Sequence, residues 1–328
     1  MPKPLTRLLD ALPENVRCAA LPTPFAVGPV NCYLLPDHPV TVVDPGMLLD
    51  ESLSALINFL AADGLTPRDV ELVVVTHGHP DHFGAAAWLA RQSGAPIITG
   101  RHEIGKICLG IERVDAFRSV LTELGLPESA VEVFPAFMRH VRTLVQPATP
   151  DMCQVVEDGE RLTAGGRRFE VLVTPGHAAS HVSLWDGDVL LSGDHLLPRI
   201  SPNPFLEIDD GEVPTRRRSL VEYLESLNRF VALDPACVAP GHGEAFSEVP
   251  LWADRVRAHH GRRAREIREL LVAHPGSTAY SLTQHVFPQL DGFEVMLGVS
   301  EVVGHLDLLA MQNGARVELG PVEHWFAT

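Results

Sequence analysis

The chain has 328 residues, of which 45% are hydrophobic and 21% charged, and its 26 basic against 42 acidic side chains leave a formal charge of −16. This composition supplies a core and excludes wholesale disorder, while the length exceeds a usual single domain, so one large domain with a smaller companion is expected. An acidic field of this size repels polyanions, so nucleic acid is not the expected partner without a local basic patch.

Residues 1–25 hold no apolar run suited to an export signal or a membrane span, being interrupted by Pro2, Pro4 and Pro13. The five cysteines are dispersed and never form a C-x-x-C pair, the pattern of unpaired thiols in a reducing compartment. The expectation is a cytoplasmic protein with no membrane association.

Residues 29–35 and 40–44 read as two short strands around the turn Pro36-Asp37-His38-Pro39. Residues 51–62 then place Leu53, Leu56, Ile57, Leu60 and Ala61 at helical spacing, with Gly64 beyond as a stop. The β-branched run 70–76 reads as a strand buried on both faces, followed by a helix over 83–92 and a strand over 96–99. Alternation of this kind predicts α/β layering. Residues 101–150 read as a mostly helical insertion over the layered core, with Leu109, Val114, Phe117, Val120, Leu121 and Leu124 loosely periodic. Strands follow over 167–174, 181–185 and 189–192, then a Pro-rich loop over 198–204, a helix over 217–233 and a strand over 237–239. Helices over 253–273, 280–286 and 295–312, with a hairpin over 315–327 tipped by Gly320-Pro321, outline a winged-helix-like module. The expected division is a layered catalytic domain over 1–250 and this small module over 251–328.

The 16 histidines cluster. His77-Gly78-His79-Pro80-Asp81-His82 offers four donors in six residues at the junction of a buried strand and a helix. Imidazole nitrogen and carboxylate oxygen both bind zinc, and turns at Gly78 and Pro80 direct His77 and His79 at one ion, Asp81 and His82 at a second. His177, Asp194 and His242 are the further candidates, since each follows a strand-like run and a glycine that lets the backbone turn. Asp44, in Asp-Pro-Gly, reads equally as an ordinary turn residue or as a buried carboxylate that orients metal ligands.

These motifs resemble the metallo-β-lactamase superfamily over roughly residues 20–250. The resemblance implies an αββα sandwich with two divalent metal ions at one edge, zinc foremost, with iron or manganese also compatible. It implies that His77, His79 and His177 hold the first ion, Asp81, His82 and His242 the second, that Asp194 bridges them, and that Asp44 is the buried aspartate ending an early strand. The tail opening with His259-His260-Gly261-Arg262-Arg263 is similar to the branch that includes β-lactamase-like protein 2, which holds both ribonucleases and acyl-thioesterases.

Hydrolysis of a thioester or ester by a metal-activated hydroxide, oriented by Asp81 and Asp194, is therefore the expected activity, on a small-molecule or carrier-linked acyl substrate. Phe117, Phe134, Phe137 and Met138 are candidates for an apolar lid, or equally for an ordinary helical core. His195 is a candidate general acid, or more simply a pocket-lining residue behind the ligands. A lactonase is the near alternative, weakened because Leu197 stands where that branch has a tyrosine. A single-strand-specific ribonuclease is the rival, resting on Arg255, Arg257, Arg262, Arg263, Arg265 and Arg268 as a phosphate track. Against it, helix 295–312 carries Glu301 and Asp307 and no lysine or arginine, so the C-terminal module reads as a packing or homodimerisation element.

Overall fold

A computed structural model describes residues 12–108, 114–209 and 215–328. Leu109, counted above in the insertion's periodicity, and the side chain of Val114 lie outside that description.

The first half of the chain builds a six-stranded sheet from β1 (Arg17–Leu21), β2 (Val30–Leu35), β3 (Thr41–Val43), β4 (Leu72–Val74), β5 (Ile97–Thr99) and β6 (Cys153–Val155), laid side by side in that order. Strands β1 to β3 pair antiparallel and β3 to β6 parallel. Crossing between them are α1 (Asp50–Ala62), α2 (Pro80–Phe83) and α3 (Ala86–Ser93), then α4 (Glu103–Ile107), α5 (Val114–Glu123), α6 (Glu128–Val131) and α7 (Val133–Val141) in the segment between β5 and β6. The second half folds an antiparallel meander of β7 (Arg161–Ala164), β8 (Arg167–Val173), β9 (Val182–Trp185) and β10 (Val189–Gly193). After α8 (Ser219–Leu233), β11 (Cys237–Pro240) adds parallel to β10.

Side chains on a strand alternate faces, and that alternation makes the layers. Leu34, Val42, Val73 and Ile97 pack outward beneath Leu56 and Leu60 of α1 and Leu89 of α3. Their neighbours Tyr33, Leu35, Val43, Val74 and Ile98 face inward and meet Phe169, Val171, Leu184 and Leu191 of the second sheet. The outer face of that sheet, Leu172, Leu190 and Val238, lies under Tyr223, Leu227 and Phe230 of α8. Each of these aliphatic side chains, removed from water, contributes about 1.5–3 kcal/mol relative to exposure. The result is the expected helix–sheet–sheet–helix sandwich.

Three helices, α9 (Val249–Ala273), α10 (Ala279–Val286) and α11 (Glu294–Met311), and a hairpin of β12 (Ala315–Glu318) and β13 (His324–Ala327) complete the chain. Pro250 sits in the first turn of α9, where its missing N–H costs nothing. Val249, Trp252, Ala253 and Val256 of α9 belong to the core over the second sheet, whereas Ala264, Ile267 and Leu271 belong to a core built with α10, α11 and Trp325. Position 251 therefore lies inside one continuous helix that serves both cores. Val120 and Leu121 of α5, Leu124 just beyond it and Val131 of α6 join the second of these cores, so those helices pack on the C-terminal elements. Ile107 of α4, Val141 of α7 and the following Leu144, Val145 and Ala148 lie against the sandwich, so the insertion, which the sequence placed over the layered core, is divided between two cores.

Candidate metal centre

Seven donors come from loops at one rim of the paired sheets. The loop after β4 carries His77 and His79, and Pro80 opens α2 so that Asp81 and His82 fall within its single turn. His177 follows β8, Asp194 follows β10 and His242 follows β11.

They converge as two sets. Nδ1 of His79 lies 2.8 Å from Nε2 of His77 and 3.0 Å from Nε2 of His177. Oδ2 of Asp81 lies 3.3 Å from Nε2 of His242 and 4.0 Å from Nε2 of His82. Asp194 stands between the sets, with Oδ1 3.4 Å from Nε2 of His82 and Oδ2 3.6 Å from Nε2 of both His177 and His242. Gly241 is required beside it, because a Cβ there would fall 2.1 Å from Asp194 Oδ1.

The rings are held by their far nitrogens. His82 donates from Nδ1 to Asp44 Oδ2 at 2.8 Å, His177 to the Asn203 carbonyl at 3.0 Å and His242 to the Pro29 carbonyl at 2.8 Å. The Thr76 hydroxyl donates to Asp44 Oδ2 at 2.8 Å and so accepts from His77 Nδ1 at 3.0 Å. With Nδ1 protonated in all four, each Nε2 presents a lone pair to the centre. Asp44 also accepts the Thr76 N–H at 2.8 Å and adopts φ 53°, a left-handed conformation costly for a non-glycine residue and compensated by these three bonds.

Nε2 of His82, Nε2 of His242 and Oδ1 of Asp194 are buried without hydrogen-bond partners. Orphaned groups of this kind cost about 1–3 kcal/mol each unless something satisfies them, and convergent lone pairs with a carboxylate between them are what a pair of divalent cations satisfies. The donor set fits a dinuclear centre.

Charge differs between the two sets. Burial, then the neighbouring imidazoles, hold His77 and His79 well below the ordinary histidine pKa, and burial lowers His177 as well. Burial would depress His82 too, but the carboxylates of Asp194, Asp44 and Asp81 outweigh it and raise its pKa well above the ordinary value. His242 is raised likewise, the Asp81 contact and Asp194 outweighing burial. Burial would raise Asp194, but His82, His242 and His177 hold its carboxyl well below the usual range.

His195 does not reach the centre. Its buried ring packs against Tyr223 and Phe230, with centroids 4.7 and 5.1 Å away, and meets His181 edge-on at 5.8 Å. His181 itself was not anticipated: it accepts the Asp194 N–H at Nε2 at 3.1 Å and stacks on His77 at 5.1 Å. Glu103 is a second unanticipated residue, fully buried, accepting the Gly78 N–H at 2.9 Å and the Ser180 N–H at 2.8 Å. It thereby ties the loop of the first two ligands to the loop after His177. Asn31 does the same for His242, donating to the Pro240 and Gly243 carbonyls at 2.9 and 2.7 Å.

A cavity of about 290 Å³ opens beside the first donor set. It is lined by Gly78, His79 and Pro80 of the donor loop, by Phe117, Phe134, Phe137 and Met138 from the insertion, by Phe205, and by Phe293, Met296 and Leu297 from the C-terminal elements. Phe137 stacks on Phe293 at 3.6 Å and Phe117 on Phe134 at 4.2 Å. Lys106 and Glu207, paired with each other, are the charged groups in the wall. Among the described residues no helix is long and apolar enough to cross a membrane, and all five cysteines are free.

The family model of the metallo-β-lactamase superfamily matches residues 26–242. The chain is 33% identical to the Bacillus subtilis protein named "Probable metallo-hydrolase YqjP", over 92% of this chain and 93% of that one. It is 27% identical to a β-lactamase-like protein 2 homolog of Caenorhabditis elegans, over 87% and 79%. Among solved structures, the metallo-β-lactamase family protein TTHA1429 from Thermus thermophilus superposes with a TM-score of 0.82 at 28% identity, covering 96% of this chain and 99% of that one.

Proposed function

The chain belongs to the metallo-β-lactamase superfamily of metal-dependent hydrolases, and from that premise we propose that it hydrolyses an acyl thioester or ester. The observation that carries the reading is the aromatic-walled cavity that the donor His79 also lines. An apolar recess of this kind takes the acyl body, leaving its carbonyl end toward the donor sets. Those donor sets would hold two divalent cations, for which we propose zinc, and these would supply Lewis acidity toward the carbonyl and a nucleophile from water at neutral pH. Asp194, kept ionised, accepts a hydrogen bond from the attacking water and so orients it, and Asp81 faces the same space. Phe205, edge-on to His79 at 4.5 Å, limits solvent there.

Phosphodiester cleavage draws less support. On α9, Arg257 bonds Asn228 and Asp254, Arg263 pairs with Glu266 and lies over the Phe287 ring, and Arg268 bonds the Thr328 carbonyl. Val299, Val302, Val303 and Leu306 bury α11, so it presents no reading face to a groove. Leu197, buried, offers no hydroxyl for the lactonase reading.

The test is a panel of acyl thioesters and esters beside a labelled single-stranded RNA, each with the zinc-loaded protein and with His79→Ala. Thioester or ester turnover that disappears in His79→Ala is the expected result. RNA cleavage that disappears in the variant while the acyl panel stays intact would overturn the proposal.

A further inference from the structure

The stretch from Leu197 to Glu207 leads away from Asp194, and the C-terminal helices hold it from behind. Trp252 on α9 donates from Nε1 to the Leu197 carbonyl at 2.8 Å, and the Ser201 hydroxyl meets Nε2 of His260 on the same helix at 2.8 Å. Asn203 donates from Nδ2 to the Leu297 carbonyl on α11 at 3.0 Å, and the Leu206 N–H donates to Ser300 Oγ on α11 at 3.1 Å. The opposite side of this stretch faces the metal centre, where the Asn203 carbonyl accepts the His177 Nδ1 proton at 3.0 Å. Asn203 thus has its side chain bonded to α11 and its backbone bonded to a metal ligand.

Packing alone does not account for an asparagine at this position. Its Oδ1 is buried without a hydrogen-bond partner, a destabilising feature that an apolar side chain of the same size would remove. Pro202 and Pro204 flank it without an N–H, and the Asn203 carbonyl also accepts the Phe205 N–H at 3.0 Å within the loop, so the side-chain amide is the bond that carries this residue to α11.

We propose that Asn203 is a positioning residue for the first metal position: its amide, fastened to α11, fixes the carbonyl that orients His177, and through it the C-terminal elements govern how tightly the first ion is held. The inference concerns ion retention and does not depend on which ester is the substrate.

Full-length Asn203→Ala, titrated with zinc against a chromophoric chelator, tests this. The expected result is first-position affinity lowered by about tenfold or more, toward the 10- to 100-fold found for groups that orient metal ligands. Second-position affinity and the thermal unfolding of the metal-free protein stay at wild-type values, and the downfield proton resonance of His177 Nδ1–H is weakened or lost. Ser201→Ala cuts a neighbouring tie on the same stretch and leaves zinc affinity unchanged. Should Asn203→Ala fail to fold, Asn203→Leu carries the same test, because it fills the space and removes the orphaned oxygen, and the Leu297 carbonyl keeps its helical partner. Wild-type affinity at both positions in a folded Asn203 variant, or equal loosening in Ser201→Ala, overturns the proposal.

Discussion

Four imidazoles present Nε2 to the centre because Thr76, Asp44, Asn203 and Pro29 each hold an Nδ1. The two sets nevertheless differ in their competition with protons, since a proton and a cation seek the same lone pair. His82 and His242, next to Asp194 and Asp81, keep protons to higher pH than a free histidine, whereas His77, His79 and His177 release them at lower pH. As pH falls from about 8 to 5, across the ordinary histidine value of about 6.5, the second set is protonated first and its ion leaves first. Metal content measured after gel filtration at stepped pH is expected to fall from two ions to one and then to none; loss of both together would contradict this. In the metal-free protein the signs are opposite for the two kinds of group. The raised histidines contribute stability that is complete below their unfolded pKa and lost as pH rises through the folded one. Asp194, lowered, contributes above the unfolded carboxylate range and loses that contribution as pH falls.

The loop bearing His177 is set by its contact with α8. Gly176 has φ 137°, and a Cβ there would lie 2.3 Å from Tyr223 Cα and 2.6 Å from Tyr223 N, which are helix backbone atoms that cannot move aside. Ser226 of α8 reinforces the contact by donating to the Pro175 carbonyl at 2.8 Å. Gly176→Ala must push the loop off the helix, so urea unfolding should show a loss of about 1–3 kcal/mol from overpacking, with backbone strain added, and metal content should fall with it. Unchanged unfolding would mean that the loop is free of α8. The same contrast between local and distant determinants explains what the sequence made legible. The donors stand out because each follows an apolar run and most adjoin a glycine, and α1 follows from apolar periodicity. Strands β1, β6 and β7 escape that reading because each is a short edge strand, partly exposed, with little hydrophobic signal. Glu103 and Asn203 act on partners 77 and 26 residues away through side-chain and backbone hydrogen bonds, and no motif records such a contact. His195 is adjacent to Asp194 in the chain, yet its side chain leaves the turn toward α8.

The cavity belongs to no single part of the chain: the loop after β4, helices α5 and α7, the stretch containing Phe205 and the start of α11 each supply a wall. This explains why α5 and α6 share a core with α9, α10 and α11 instead of lying wholly on the sandwich. The Phe137–Phe293 stack joins the insertion to the C-terminal elements directly over the space. Met296, 5% exposed and part of the cavity wall, is the place to narrow the recess without replacing a donor. Met296→Trp is expected to leave two ions bound and to spare short acyl substrates, while penalising longer ones. Each methylene denied burial costs about 0.8 kcal/mol, or about fourfold in kcat/KM. Removing room for two methylenes therefore lowers kcat/KM for the longer chain by about 15-fold relative to the shorter one. A kcat/KM series against acyl length measures the ratio directly. An equal loss at every length, with the metal retained, would place the acyl chain outside this cavity and leave its aromatic wall as packing between the insertion and the C-terminal helices.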